Sequence, residues 1–186
     1  MKRVAIIGNA GGGKTALSRE LSVRLNIPVF HLDLYWTKSE PNWRYATEEE
    51  FYTEHEAIVK GEQWIIEGGM AYWKTIKRRF DLADTIFYVD LPIFTHFWCV
   101  TTRQIRTIFK PRDDLPEGAP VFRKTVWLYS LMWKNNKVER SRLQEMLRTL
   151  AGRKNVIHIR RRTELRIILD TCHPKDSSNY QQQRTA

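Results

Sequence analysis

The chain has 186 residues, of which 42% are hydrophobic and 12% aromatic, so a wholly disordered protein is excluded and a single domain of ordinary size is expected. Two cysteines, Cys99 and Cys172, are too few for a disulfide scaffold and fit a reducing cytoplasm. The formal charge of +10 is unevenly spread. Residues 1–90 hold 12 Lys+Arg against 13 Asp+Glu, and residues 91–186 hold 19 against 8. The excess of +11 in the second half fits a basic binding face or a phosphate-handling half of an enzyme.

Val4-Ala5-Ile6-Ile7 is a continuous apolar run, the pattern of a strand buried on both faces of a parallel sheet. It is too short for a secretory signal, and no segment reaches the roughly 20 apolar residues of a membrane span. Leu17, Leu21 and Leu25 follow at helical spacing, and Pro28 closes that helix. Val29 to Leu32 reads as a second strand, followed by an irregular aromatic segment from Tyr35 to Tyr45. Thr47 and Glu50 form a capping-box pair opening a helix whose inner face carries Phe51, His55, Ile58 and Val59.

Trp64-Ile65-Ile66 predicts a third strand and Thr85 to Val89 a fourth, with Gly68-Gly69 and a short basic helix around Lys74 to Phe80 between them. Beyond Pro92 the pattern is helical over Ile93 to Phe109, then loop-like over Pro111 to Pro120. Helical periodicity returns over Phe122 to Trp133 and Val138 to Leu150. Periodicity leaves open whether Asn135-Asn136 divides the two. Val156 to Ile159 is a fifth strand, and Thr163 is placed to cap a last helix with Leu165, Ile168 and Leu169 inward. A polar, Gln-rich tail is expected from residue 171. Strands alternating with helices predict an α/β fold with a parallel sheet, whose ligands sit beyond the carboxyl ends of the strands.

Gly8-Asn9-Ala10-Gly11-Gly12-Gly13-Lys14-Thr15 satisfies G-x-x-x-x-G-K-[ST] between the first strand and the first helix. Glycines let backbone N–H groups turn inward around a polyphosphate, and the helix N-terminus adds partial positive charge. In such a loop Lys14 meets the β- and γ-phosphates of ATP, and the Thr15 hydroxyl is offered to Mg²⁺. The competing explanation is a chance glycine-rich turn, which the strand and helix on either side argue against.

With the segments HLDLYW at 31–36, WIIEGG at 64–69, ADTIFYVDLP at 83–92 and RDDLPEGAP at 112–120, the chain resembles the adenylate-kinase-like small P-loop kinases. Within them it is most similar to the ATP-binding family called DNA topology modulation proteins. The resemblance covers most of residues 1–170 and implies a P-loop NTPase fold. Its five-stranded parallel sheet would run in order 2-3-1-4-5, with helices on both faces and a helical lid at about 103–136. It also implies ATP and Mg²⁺ as cofactors and a small phosphoryl acceptor. The chain departs from the family at Glu67 and Gly69, where an Asp and an Asn are usual, and at Ala119, where a Cys is usual.

In related kinases an acid after the second strand orients or deprotonates the acceptor hydroxyl. Asp33 takes that role here, a turn or helix cap being the alternative. Glu67 is the candidate acid for a Mg²⁺-bound water, since Mg²⁺ retains several waters. Asp90 is expected to stabilise a turn. Arg103, Arg106 and Arg112 are candidates for lid arginines that meet the transferring phosphoryl group, against the alternative of a solvated basic face. Arg160 to Arg162 follow the fifth strand, and the resemblance puts that loop, with Arg161, beside the adenine. Trp36 and Tyr72 are expected to edge the acceptor pocket, and Trp43 to belong to an aromatic mini-core. A nucleotide-dependent nucleic-acid-binding regulator is the second reading of the function. The +11 half motivates it, although no helix-turn-helix, zinc finger or single-strand-binding motif is present.

Overall fold

The continuous apolar runs form the strands expected of them. The computed structural model of the chain describes residues 1–36, 46–68, 72–109 and 125–171. In chain order the elements are β1 (Arg3–Gly8), α1 (Lys14–Leu25), β2 (Val29–His31), α2 (Leu32–Trp36), α3 (Glu48–Val59), β3 (Trp64–Glu67), α4 (Trp73–Leu82) and β4 (Thr85–Val89). They are followed by α5 (Ile93–Phe109), α6 (Thr125–Lys134), α7 (Arg140–Leu150), β5 (Asn155–Ile159) and α8 (Arg162–Thr171). The strands make one sheet in the order β2-β3-β1-β4-β5. Every pairing is parallel, with Ala5 opposite Ile66 on one side and Ile86 on the other.

Side chains of β1 alternate between the two faces of the sheet, and both faces are covered, which is why its sequence does not alternate. Val4 and Ile6 join Leu17, Leu21, Ile65, Phe87 and Ile159 beneath α1 and α8. Ala5 and Ile7 join Phe51, Trp64, Ile66, Phe80, Ile86 and Leu147 beneath α3, α4 and α7. Val4, Ile6 and Ile7 are fully buried, and each such side chain contributes about 1.5–3 kcal/mol.

The capping box at the start of α3 is formed in both directions. Glu50 N–H donates to Thr47 Oγ1 at 3.2 Å, and Thr47 N–H donates to Glu50 Oε2 at 2.8 Å. Two local expectations are corrected, and one open question is answered. Leu32 opens the short helix α2 instead of ending a strand, so the region after β2 is helical as far as Trp36. The Asn135-Asn136 pair does not separate two helices. A π-helical turn, Asn135–Glu139, carries α6 into α7, the wider i→i+5 bonding absorbing the extra residue. Finally, α8 begins at Arg162, ahead of Thr163, and a carboxylate of its first turn reaches back to the two residues before it. Glu164 Oε2 accepts from the N–H groups of Arg160 at 2.7 Å and Arg161 at 3.2 Å.

The carboxyl ends of all five strands lie on one edge of the sheet, because all run parallel. That edge gathers the phosphate loop after β1, Glu67 at the end of β3, Asp90 just beyond β4 and Arg160 to Arg162 beyond β5. Residues 110–124, Trp43 and residues 172–186 lie outside the described residues, and with them Arg112, Gly69, Ala119 and Cys172.

Candidate active site

Helix α1 starts at Lys14 from a Gly13 in the left-handed conformation, φ 86°, with no side-chain cap and no acid in its first turn. Its first amides are therefore not taken by a capping side chain, the condition for receiving an anion. Lys14 Nζ donates to the Asn9 carbonyl at 3.0 Å, so the ammonium is folded over the loop. Asn9 binds in two directions. Its Oδ1 accepts from Ala10 N–H at 3.1 Å, and its Nδ2 donates to the Met132 carbonyl of α6 at 2.9 Å. The loop Gly8 to Thr15 is thus tied to the helix after residues 110–124.

On the β3 side, Thr15 Oγ1 donates to Glu67 Oε1 at 3.0 Å, and His31 Nδ1 lies 2.8 Å from the same oxygen. A carboxylate oxygen only accepts, so His31 donates from Nδ1. Burial alone would raise the Glu67 carboxyl. The hydrogen bond from His31, the nearby Lys14 and the Thr15 hydroxyl outweigh it and hold the group below the usual carboxylate range.

Asp33 lies in the first turn of α2, exposed, and packs against the end of β3. Gly68 has φ +92°, a conformation that favours glycine, and a Cβ there would stand 3.0 Å from Asp33 Oδ1, so the Asp33 carboxylate would have to give way. The acid expected for the acceptor and the acid expected for the metal are in this way held at neighbouring strand ends. Beneath them Arg79 of α4 is fully buried. Burial lowers its guanidinium to about 10, while Glu67 and Asp33 pull in the opposite direction, so it is cationic at neutral pH. Sequence reasoning placed this arginine in a short basic helix around Lys74 to Phe80. Its position among charged neighbours Arg78 and Lys77 gave no signal that it alone turns inward.

Asp90 is far more than a turn residue. Arg140 of α7 makes a two-point pair with it, Nε to Oδ1 at 2.7 Å and Nη2 to Oδ2 at 3.1 Å. Gln144 Nε2 donates to Oδ2 at 3.0 Å, and His158 Nε2 lies 2.9 Å from that oxygen. Burial raises the carboxyl, but Arg140 and His158 prevail and keep it low. Asp90 and Arg140 line, with Gly8, Asn9, His96 and Asn136, a small hollow beside the phosphate loop. Sequence reasoning missed Arg140, His158 and Gln144. Their partner lies 50 or more residues away in the chain, and no spacing rule reaches that far.

Of the proposed lid arginines, Arg103 is half-buried and Arg106 exposed on α5. Arg161 stands exposed between β5 and α8. The start of α8 adjoins the phosphate loop, since a Cβ at Gly13 would be 3.5 Å from Leu165. Tyr72 donates from its hydroxyl to the Ala46 carbonyl at 3.2 Å and packs on Phe51.

No model of a known protein family matches the chain, and no curated protein matches it. Solved structures do. The shikimate kinase of Acinetobacter baumannii, solved with shikimate, is similar with a TM-score of 0.56 and 12% identity, over 92% of this chain and 90% of that one. The shikimate kinase of Bacteroides thetaiotaomicron is similar with a TM-score of 0.53 and 14% identity, over 91% and 95%. At such identities the likeness shows the fold: an α/β P-loop fold of the kind found in small kinases.

Proposed function

We propose that the protein is an ATP- and Mg²⁺-dependent phosphotransferase acting on a small hydroxyl compound or nucleotide. The observation that carries this reading is the uncapped α1 N-terminus behind Gly8 to Gly13, with Thr15 hydrogen-bonded to Glu67 at 3.0 Å. The amides of the loop and Lys14 would hold the phosphates. Thr15 and Glu67 offer a hydroxyl and a carboxylate, hard oxygen donors that suit a Mg²⁺ retaining most of its waters. When bound, the ion neutralises charge on the phosphate oxygens.

Asp33 would orient the acceptor hydroxyl and take its proton as the acceptor oxygen bonds to the γ-phosphorus and the bond to the β,γ-bridging oxygen breaks. Arg79, buried under Asp33 and Glu67, holds compensating charge in place. Arg103, Arg106 and Arg112 would be the cations brought to the transferring group, while Arg140 stays paired with Asp90 beside the loop. The resemblance to DNA topology modulation proteins supports the same nucleotide chemistry, and the region 103–136 would serve as its lid. Within 1–170, as one domain, the site would be complete.

The reading is tested by incubating the purified protein with Mg²⁺ and γ-labelled ATP against a panel of nucleotides and hydroxylated metabolites. Transfer to at least one acceptor is expected, reduced about 100-fold or more in Lys14→Ala without loss of fold. No transfer to any acceptor would remove the reading.

The +11 half supports a second reading, a nucleotide-dependent nucleic-acid-binding regulator. Duplex DNA binding that weakens steeply between two salt concentrations is its expected sign. No binding at low salt would eliminate it.

A further inference from the structure

We infer that His96 is a positioning residue: from α5 it fixes the orientation of the Ala10–Gly11 peptide and so shapes the phosphate loop for its anion. The inference rests on the proposed nucleotide site, and no motif contains this residue. His96 is 2% exposed, and its Nδ1 lies 2.8 Å from the Ala10 carbonyl oxygen. A carbonyl only accepts, so Nδ1 carries the hydrogen. Burial first, then Lys14 nearby, hold the imidazole below the usual histidine range, so the neutral ring is the donor.

A trans peptide is planar, and its C=O and N–H point in opposite directions. Turning the Ala10 carbonyl towards α5 therefore turns the Gly11 amide away from α5, into the concavity that closes on the start of α1. Without that bond the Ala10 carbonyl would face the same concavity in a fraction of the population, presenting a partial negative charge to phosphate.

His96 also accounts for two glycines that the motif does not demand. G-x-x-x-x-G-K-[ST] leaves positions 11 and 12 open. Gly11 has φ +75°, and a Cβ on it would come 2.8 Å from the His96 carbonyl oxygen. A Cβ on Gly12 would come 2.9 Å from Val89 Cγ1 of β4 and 3.0 Å from His96 Cε1. The approach of α5 that delivers the imidazole crowds a side chain at Gly11, and with Val89 of β4 it crowds one at Gly12.

The experiment measures binding of a fluorescent ATP analogue with Mg²⁺ by the full chain. Amide hydrogen exchange over residues 8–13 is followed without nucleotide. His96→Leu, which keeps bulk but has no donor, is expected to bind about tenfold more weakly and to exchange faster at Gly11 and Gly12. His96→Asn, whose Nδ2 replaces the donor, is expected to restore affinity to within about threefold. His96→Ala serves as the donor-free variant if leucine prevents folding. Unchanged affinity and exchange in the donor-free variant, or equal weakening in the leucine and asparagine variants, would overturn the inference. If the wild-type chain binds no analogue while exchange still separates the leucine from the asparagine variant, the positioning stands and the nucleotide reading fails. If neither differs, the positioning fails.

Discussion

Glu67 and Asp90 stand at the carboxyl ends of the two strands that flank β1, both buried and both held below the usual carboxylate range, yet they are used differently. Glu67 takes its hydrogen bonds from Thr15 and His31 on one oxygen, Oε1. Asp90 takes four, from Arg140, Gln144 and His158, across both oxygens. The first carboxylate is oriented but retains accepting capacity next to the phosphate loop. The second is saturated, and joins β4, β5 and α7 into one body. Equivalent strand-end positions do not imply equivalent roles; the number and direction of the donors decides.

The largest effect should come from breaking the saturated carboxylate. Asp90→Asn leaves Arg140 and His158 without their anion and is expected to cost about 3 kcal/mol in denaturant unfolding. A loss as small in Asp90→Asn as in Glu67→Gln would erase the contrast. Glu67→Gln should act mainly on chemistry: Mg²⁺-dependent transfer about 10–100-fold lower, with a smaller loss of stability than Asp90→Asn, since Asp33 still offsets the buried Arg79.

Acid titration of stability should separate Asp90 from the buried histidine of α3. His55 is lowered to about 4, by burial first and Arg79 second. The unfolded chain thus takes up a proton below about 6.5 that the folded chain refuses. Stability should fall from about pH 6.5 towards 4, at up to about 1.4 kcal/mol per pH unit, and His55→Leu should flatten that limb. A depressed carboxylate works in a lower window. The Asp90 contribution is present above its unfolded value of about 3.9 and is lost as pH falls through its lower folded value. Unfolding curves of Asp90→Asn should therefore converge with wild type only below about pH 4. The smallest effect is expected from Gln144→Ala, which removes one of the four bonds to Asp90 and should cost about 1 kcal/mol without altering nucleotide binding.

The strand, glycine-rich loop and helix at the start of the chain were legible because their pattern is local. Eight consecutive residues between a strand and a helix carry it, and the capping box at Thr47 and Glu50 was equally plain. Legibility failed wherever the partner was remote. His31 was seen as part of a strand, not as the donor that fixes Glu67. His96 lies 86 residues from the carbonyl it holds. Arg79 was indistinguishable from its neighbours until α4 packed it under Asp33 and Glu67. Asn135-Asn136 could not be resolved because helical periodicity is nearly the same through a π turn.

By itself the sequence determined the alternation of strands and helices, the place of the glycine-rich loop after β1 and which candidate acids follow β2 and end β3, since these depend on periods and motifs a few residues long. Only the tertiary structure decided which charges face one another. The positive second half that stands out in the composition is only in part paired at a distance: Arg140 is committed to Asp90, 50 residues away, while Arg160 and Arg161 stay exposed at the edge of the sheet. The reason is physical. A buried charge must find its partner wherever the chain's folding brings one within about 3 Å, and that distance is set by packing between elements, not by separation along the sequence.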